Sequence, residues 1–277
     1  MKIGITGANG FIGNNLFNYL RYSGFSVTGF TSNKQNTRFR YLNMFDMKEI
    51  ELALGEIELL IHVAWIGSER ENRNNFEIQK KNLAISKNIT NLKNITKITR
   101  IIALGSQDEL RDGDQPWSDG SRIVPSSEYG KAKFESYSML SEAFDNFIWA
   151  RLFSVYGPGD SRNWIINTAV KALKRNTPTN FGLCSKPWSL TYITDVLTAL
   201  EKIIMGNSFG IINISSLGKH TLKDHLQLLE SIADKKIFDF LPNTLPEREI
   251  SRQIGEIESL GWIEQYDREK GFRELIK

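Results

Sequence analysis

The first thirteen residues, MKIGITGANGFIG, constrain this chain more than any other stretch. A short apolar run from Ile3 to Thr6 breaks at Gly7, Gly10 and Gly13 follow at three-residue spacing, and Leu16, Phe17 and Leu20 then recur at a helical period. Strand, glycine turn and helix in that order form the unit that binds a dinucleotide pyrophosphate. Gly7 permits the tight turn, Gly10 keeps side chains away from the phosphates, and Gly13 lets the helix pack close to the strand. The helix N-terminus then offers unpaired N–H groups and a partial positive charge. The spacing is G-x-x-G-x-x-G rather than the more familiar G-x-G-x-x-G.

Such a start predicts an α/β chain, and the pattern of the remaining residues agrees. Strands are expected at 25–30, 38–42, 58–63, 98–104 and 147–153, with helices from Asp46 to Leu54, at 72–92 and at 128–144. Alternation of this kind implies a doubly wound parallel Rossmann sheet. Past Tyr156-Gly157-Pro158-Gly159 the pattern loosens. Helices are expected at 164–173, 195–204 and 222–233 and at the C-terminus, with short strands at 190–193 and 211–214, a loop at 181–189, and a proline-containing link near Pro242 and Pro246. The expected organisation is a dinucleotide-binding domain over 1–155, to which 190–214 returns. A small interleaved substrate-binding lobe takes 156–189 and 215–277.

Composition excludes several classes. A net charge of +3 without a long basic run does not suggest nucleic acid. No apolar stretch approaches the roughly 18 residues that span a bilayer. One cysteine, Cys184, rules out an internal disulfide framework and fits a reducing compartment. With a strand starting at residue 2, no signal peptide is expected, and the expected location is the cytoplasm. No metal-ligand spacing is present, so no metal site is expected.

The exit of the second strand bears on the cofactor. NAD-binding Rossmann units place an acidic residue there, on the ribose 2′-hydroxyl. Here the segment is Thr31-Ser32-Asn33-Lys34, with Arg38 and Arg40 shortly after. Small hydroxyls and nearby cations suit a 2′-phosphate, so NADPH is preferred, with NAD as the alternative. Asn43, Met44 and Asp46 are expected near the adenine.

Tyr129 and Lys133 lie four residues apart at the start of a predicted helix and share one of its faces. An ammonium beside a phenol lowers the phenol's pKa from about 10 and makes it a usable proton donor or acceptor. Ser106 ends a parallel strand at the same sheet edge and could hydrogen-bond the same substrate oxygen.

With these residues the chain resembles the extended short-chain dehydrogenase/reductases of the NAD-dependent epimerase/dehydratase family. The matching stretches are TGANGFIG at 6–13, HVAW at 62–65, Asn82, GS at 105–106, PSSEYGKAK at 125–133, RLFSVYGPGD at 151–160, YITDV at 192–196 and LGW at 260–262. The resemblance implies an acid/base role for Tyr129, a ribose-binding and tuning role for Lys133, and binding of the reacting oxygen by Ser106. It implies a pyrophosphate loop of Gly7, Gly10, Phe11, Ile12 and Gly13. It also implies cofactor contacts from Val63, Ala64 and Trp65 at their strand end, with Asn82 behind them. Asp195 is expected to cap the helix it begins rather than touch substrate. Gln107, Ser154, Asn163, Lys186, Trp188 and Arg248 are candidates for a nucleotide-sugar substrate. Lys186, Arg248 or Arg252 would replace the arginine that many members use on the diphosphate.

Three departures narrow the choice. The 4,6-dehydratases of the family carry an Asp-Glu pair directly after the triad threonine, whereas Ser106 is followed by Gln107-Asp108-Glu109. The 4-epimerases usually have an acid where Thr31 stands. The diphosphate arginine and the asparagine before V-Y-G-P are replaced, the latter by Ser154. The reading that results is NADPH-dependent reduction of the 4-keto group of a nucleotide-linked 4-keto-6-deoxyhexose, in deoxysugar and polysaccharide biosynthesis. The alternatives are a nucleotide-sugar 4-epimerase with tightly held NAD and, in another class, a non-enzymatic NAD(P)-sensing regulator. A helix-mediated homodimer is an expectation from the resemblance alone.

Overall fold

The computed structural model describes residues 1–242 and 247–277. Pro246 of the expected link lies outside the described residues. The chain divides into two compact units.

The first unit comprises Met1–Arg111, Arg122–Leu152 and Ile203–Ile212. Its strands are β1 (Lys2–Thr6), β2 (Ser26–Thr31), β3 (Arg40–Tyr41), β4 (Leu59–His62), β5 (Arg100–Ser106) and β6 (Phe147–Leu152). Its helices are α1 (Phe11–Tyr22), α2 (Met47–Leu54), α3 (Phe76–Thr90) and α4 (Glu128–Ala143). With β10 (Gly210–Ile214) they form a seven-stranded sheet in the order β10-β6-β5-β4-β1-β2-β3. The pairings from β3 through to β6 are parallel. The order reverses between β1 and β4, so the loops after these strands diverge at the carboxyl edge, the place where open α/β sheets take ligands.

Strands β1 (after Lys2), β4 and β6 are buried on both faces, as strands covered by helices must be. One core gathers Phe30, Ile50, Leu54, Leu60, Ile85, Ile89, Leu140 and Trp149, all essentially out of water. Burial of a side chain of this kind contributes about 1.5–3 kcal/mol. Three of this unit's helices begin where a side chain satisfies one or more of their first N–H groups. Asp46 caps α2, Asn75 caps α3 and Ser127 caps α4. Asn75 explains why the helix expected from residue 72 starts at Phe76, after a 3₁₀ turn at Arg70–Asn72. Arg100 donates to the carbonyls of Ile203, Ile204, Gly206 and Ser208, the acceptors that a helix end leaves open.

The second unit comprises Asp112–Ser121, Phe153–Lys202 and Asn213–Lys277. Segment 190–202, expected to return to the first unit, packs here, and only Ile203–Ile212 returns. Strands β7 (Ser154–Tyr156) and β9 (Leu190–Tyr192) pair in parallel, as do β8 (Thr179–Asn180) and β11 (Phe238–Asp239). The helices are α5 (Ile165–Arg175), α6 (Ile193–Met205, whose last three residues belong to the first unit), α7 (Leu222–Ile232), α8 (Glu256–Ser259) and α9 (Arg268–Ile276). The rings of Tyr192 and Tyr266 stack at 4.1 Å, and both hydroxyls donate to the Glu274 carboxylate on α9.

Asp195 departs from expectation. It is the third residue of α6, and its carboxylate accepts the backbone N–H groups of Gln265 and Tyr266, each at 3.0 Å. It fastens the C-terminal segment instead of capping its own helix. Segment 181–189 is also less loop-like than expected. Trp188 N–H donates to the His220 carbonyl, and Ser189 N–H to that of Ile250. Residues 187 and 188 make β-bridges to Thr221 and Ile250.

Candidate active site

In the first unit the glycine loop leaves β1 as the sequence implies. Gly7 has φ +68°, and a Cβ there would lie 2.7 Å from the Ala64 backbone, so the turn and the β4 exit jointly exclude any side chain. A Cβ on Gly13 would come within 2.2 Å of the Gly7 carbonyl oxygen. Gly13 therefore clears the loop's own first turn rather than the strand. Gly10 is the N-cap of α1, which has neither a capping side chain nor an acidic residue in its first turn. Phe11 and Ile12 open that helix. The uncapped helix start and the excluded Cβ positions at Gly7 and Gly13 fit a dinucleotide pyrophosphate.

The β4 exit is pinned from α3. Asn82 accepts from Ile66 N–H at 2.8 Å and donates to its carbonyl at 2.9 Å. Gln79, one turn earlier, is buried and fully used. It accepts from the Trp65 indole N–H at 3.0 Å and donates to the carbonyls of Gly67 and Asn72. Ala64 N–H donates to Thr6 Oγ1, which also hydrogen-bonds His62. Burial pushes the His62 imidazole down to about 3, so it is neutral. Val63 and Ala64, both half-buried, continue from β4.

At the end of β2, Thr31 is buried and its hydroxyl accepts Asn33 N–H at 3.1 Å. Ser32 and Lys34 are outside the strand, with the Lys34 ammonium 5.1 Å from the centre of the Tyr41 ring. Arg38 is engaged by α1: it donates to the side-chain oxygens of Asn14 and Asn18 and lies against Phe17 and Phe39. Asn43 closes a turn through Phe45 N–H. Met44, expected beside the adenine, packs its side chain in the core.

Ser106, Tyr129 and Lys133 come together at the ends of β5 and α4, all three buried. Lys133 has nearer partners than Tyr129. Its ammonium donates to the Leu104 carbonyl at 2.7 Å and stands 3.6 Å from the centre of the Trp65 ring, against 5.8 Å for Tyr129. Burial pulls its pKa down to about 7, with Glu109 opposing. The Tyr129 phenol is likewise shifted upward, not downward, first by burial. The charge that opposes this is the guanidinium of Arg73, helped by a hydrogen bond with Ser106.

The carboxylates after Ser106 have structural duties. Glu109 is fully buried and accepts from Ser106 N–H (2.6 Å), Trp149 Nε1 (2.8 Å) and Arg151 Nε (3.1 Å). Asp108 pairs with Arg73 at 2.8 Å. Gln107 Oε1 is buried with no hydrogen-bond partner among the described residues.

The remaining candidates lie in the second unit. Trp188 Nε1 donates to Ser154 Oγ at 3.1 Å, Asn163 accepts from Lys171 at 2.7 Å, and Arg248 pairs with Asp112 at 2.9 Å. Lys186 is exposed. Arg252 is buried against Glu258 and the Ser215 carbonyl, which commits it to the fold. Sequence reasoning passed over Arg73 and Gln79. Gln79 had a signal, three residues before Asn82 on the same helical face; Arg73 had none. Among the described residues no helix is long and apolar enough to cross a membrane.

A profile of the NAD dependent epimerase/dehydratase family matches residues 3–215. The chain belongs to that family. It is similar to CDP-abequose synthase of Salmonella typhimurium, 23% identical over 290 residues that cover 99% of this chain and 96% of that one. UDP-glucuronic acid decarboxylase 2 of Arabidopsis thaliana is also 23% identical, over 303 residues covering 100% and 68%. A mutant of UDP-glucuronic acid 4-epimerase from Bacillus cereus, in complex with NAD and UDP-4-deoxy-4-fluoro-glucuronic acid, shares the fold at a TM-score of 0.86 (21% identity, 100% and 98% coverage). RMD from Pseudomonas aeruginosa complexed with NADPH does so at 0.82 (17% identity, 99% and 97% coverage). Proteins of this fold thus include ones seen with NAD and with NADPH.

Proposed function

We propose that this family member is an NADPH-dependent reductase of the 4-keto group of a nucleotide-linked 4-keto-6-deoxyhexose, serving deoxysugar and polysaccharide biosynthesis. The observation that carries this reading is the occupation of both carboxylates after Ser106. Glu109 is sealed against Arg151, Trp149 and the Ser106 N–H, and Asp108 is paired with Arg73. Elimination of water from a sugar needs a further acid and base beside the tyrosine. Carbonyl reduction needs one proton donor, and Tyr129 with Ser106 supplies it. Similarity to CDP-abequose synthase along nearly the whole chain, by its name a maker of a nucleotide-linked sugar, supports the substrate class. Thr31 in place of an acid supports NADPH.

A bound nicotinamide would supply the hydride to the carbonyl carbon. The chain's own residues do the rest. The amides at the start of α1 hold the pyrophosphate, and Ser106 hydrogen-bonds the carbonyl oxygen and polarises it. Tyr129 gives that oxygen its proton, and Lys133 holds ribose hydroxyls. Gln107 offers its open amide oxygen to a sugar hydroxyl.

Incubation with NADPH or NADH and a panel of 4-keto-6-deoxy nucleotide sugars tests this reading. Loss of nicotinamide absorbance, with product stereochemistry read by NMR, is the expected result. Tyr129→Phe should abolish turnover and leave NADPH binding nearly intact; full turnover in that variant would sink the proposal. Purified protein that carries stoichiometric NAD and interconverts sugars without consuming cofactor would establish the 4-epimerase instead.

A further inference from the structure

The groups facing Tyr129 come from four places. Lys133 is on its own helix, Asp108 and Glu109 are on the 3₁₀ turn after β5, Ser106 ends β5, and Arg73 lies on the loop before α3. Trp65 adds an uncharged ring edge. Lys133, the cation expected to serve the phenol, is committed to the Leu104 carbonyl and the Trp65 ring.

Arg73 is the closer cation. Its guanidinium carbon stands 4.2 Å from the centre of the Tyr129 ring, and its carbonyl accepts the Tyr129 N–H at 2.8 Å. The guanidinium is held there by Asp108 at 2.8 Å. Gly130 makes that grip possible, because a Cβ at this position would lie 2.2 Å from the Asp108 carbonyl oxygen. Gln79, through the Asn72 carbonyl, anchors the loop that delivers Arg73. With side-chain exposure of 22% for Arg73 and 9% for Asp108, the pair is only partly screened by water.

We propose that Arg73 is a positioning residue for the acid/base tyrosine: held on the ring face by Asp108, its guanidinium stabilises the phenolate that remains when Tyr129 gives up its proton. In that step the phenolic O–H bond breaks and an O–H bond forms on the reacting oxygen. The negative charge stays on Tyr129 until water returns a proton. The inference rests on Tyr129 as the acid/base of the proposed reaction, but not on the identity of the sugar.

A plain strut between the loop and the 3₁₀ turn would make Arg73→Met and Asp108→Asn behave alike, since either removes it. An electrostatic role makes them opposite. Arg73→Met leaves Asp108 facing the phenol and disfavours the phenolate. Asp108→Asn removes the carboxylate's negative charge from beside the guanidinium and the phenol and favours the phenolate.

The experiment is a tyrosinate absorbance titration of the whole protein, each variant read against the same variant carrying Tyr129→Phe. It needs neither cofactor nor sugar, so it can succeed even if no keto sugar is reduced. Expected is a midpoint about one pH unit lower in Asp108→Asn than in the wild type. In Arg73→Met the phenol should stay protonated to a higher pH than in the wild type. Arg73→Lys, which keeps the charge but loses the planar fork, should fall between wild type and Arg73→Met. Where turnover is measurable, the alkaline limb of kcat for carbonyl reduction should move in the same order. Midpoints that shift in one direction in both variants, or in neither, overturn the proposal. Asp108→Ser serves if Asp108→Asn does not fold, with the same expected sign.

Discussion

At the scale of single residues the site is set by buried charge. Lys133 has its pKa pulled down to about 7 by burial, while an unfolded lysine titrates near 10.4. Between those values the unfolded chain binds a proton that the folded chain lacks, so this group's contribution to stability rises with pH across about 7 to 10. Below about 7 both states are protonated and the full burial penalty applies. Thermal melts of the cofactor-free protein should show the balance between Lys133→Met and wild type moving towards the wild type as pH rises through that window. A constant offset would mean that Lys133 is not the buried cation. Glu109 carries the opposite hazard. Replacing one partner of a buried ion pair strands the other, at a cost of about 3–5 kcal/mol. Denaturant unfolding of Glu109→Gln should show a loss of that size. Undiminished stability together with lost turnover would instead mark Glu109 as a working acid and reopen the dehydratase reading.

At the scale of elements, legibility followed the physics. The first unit's strands and helices were readable because each buries a face at a fixed period, and the caps at Asp46 and Ser127 fall beside residues of plain helical pattern. Residues 72–92 misled by a turn, because apolar spacing does not see Asn75 stopping the helix. The second unit was harder. Its strands are two or three residues long, and what holds them is remote in sequence, as when Asp195 captures Gln265 and Tyr266. Ser106, Tyr129 and Lys133 were legible as a set because helix and strand geometry brings them to one edge. Their electrostatics were not, because Arg73 reaches Tyr129 from a loop with no motif, and Lys133 prefers a backbone carbonyl and an indole face.

At the scale of the molecule, a cofactor that binds only the folded chain raises its apparent stability by mass action, by about 2.7 kcal/mol at a ligand concentration of one hundred times Kd. If the exit of β2 selects NADPH, the melting temperature should rise more with NADPH than with NADH at equal concentration. The reverse order would assign the cofactor to NAD. Arg100 has a different consequence. Its four carbonyl contacts fix the point at which the chain re-enters the first unit at Ile203, after leaving at Leu152. The stretch between is therefore an excursion with both ends tethered to one sheet. Lengthening a tethered excursion costs little, about 0.6 kcal/mol for each doubling. Residues 153–202 can accordingly be rewritten or extended by evolution or by design while the cluster of Ser106, Tyr129 and Lys133 is inherited unchanged.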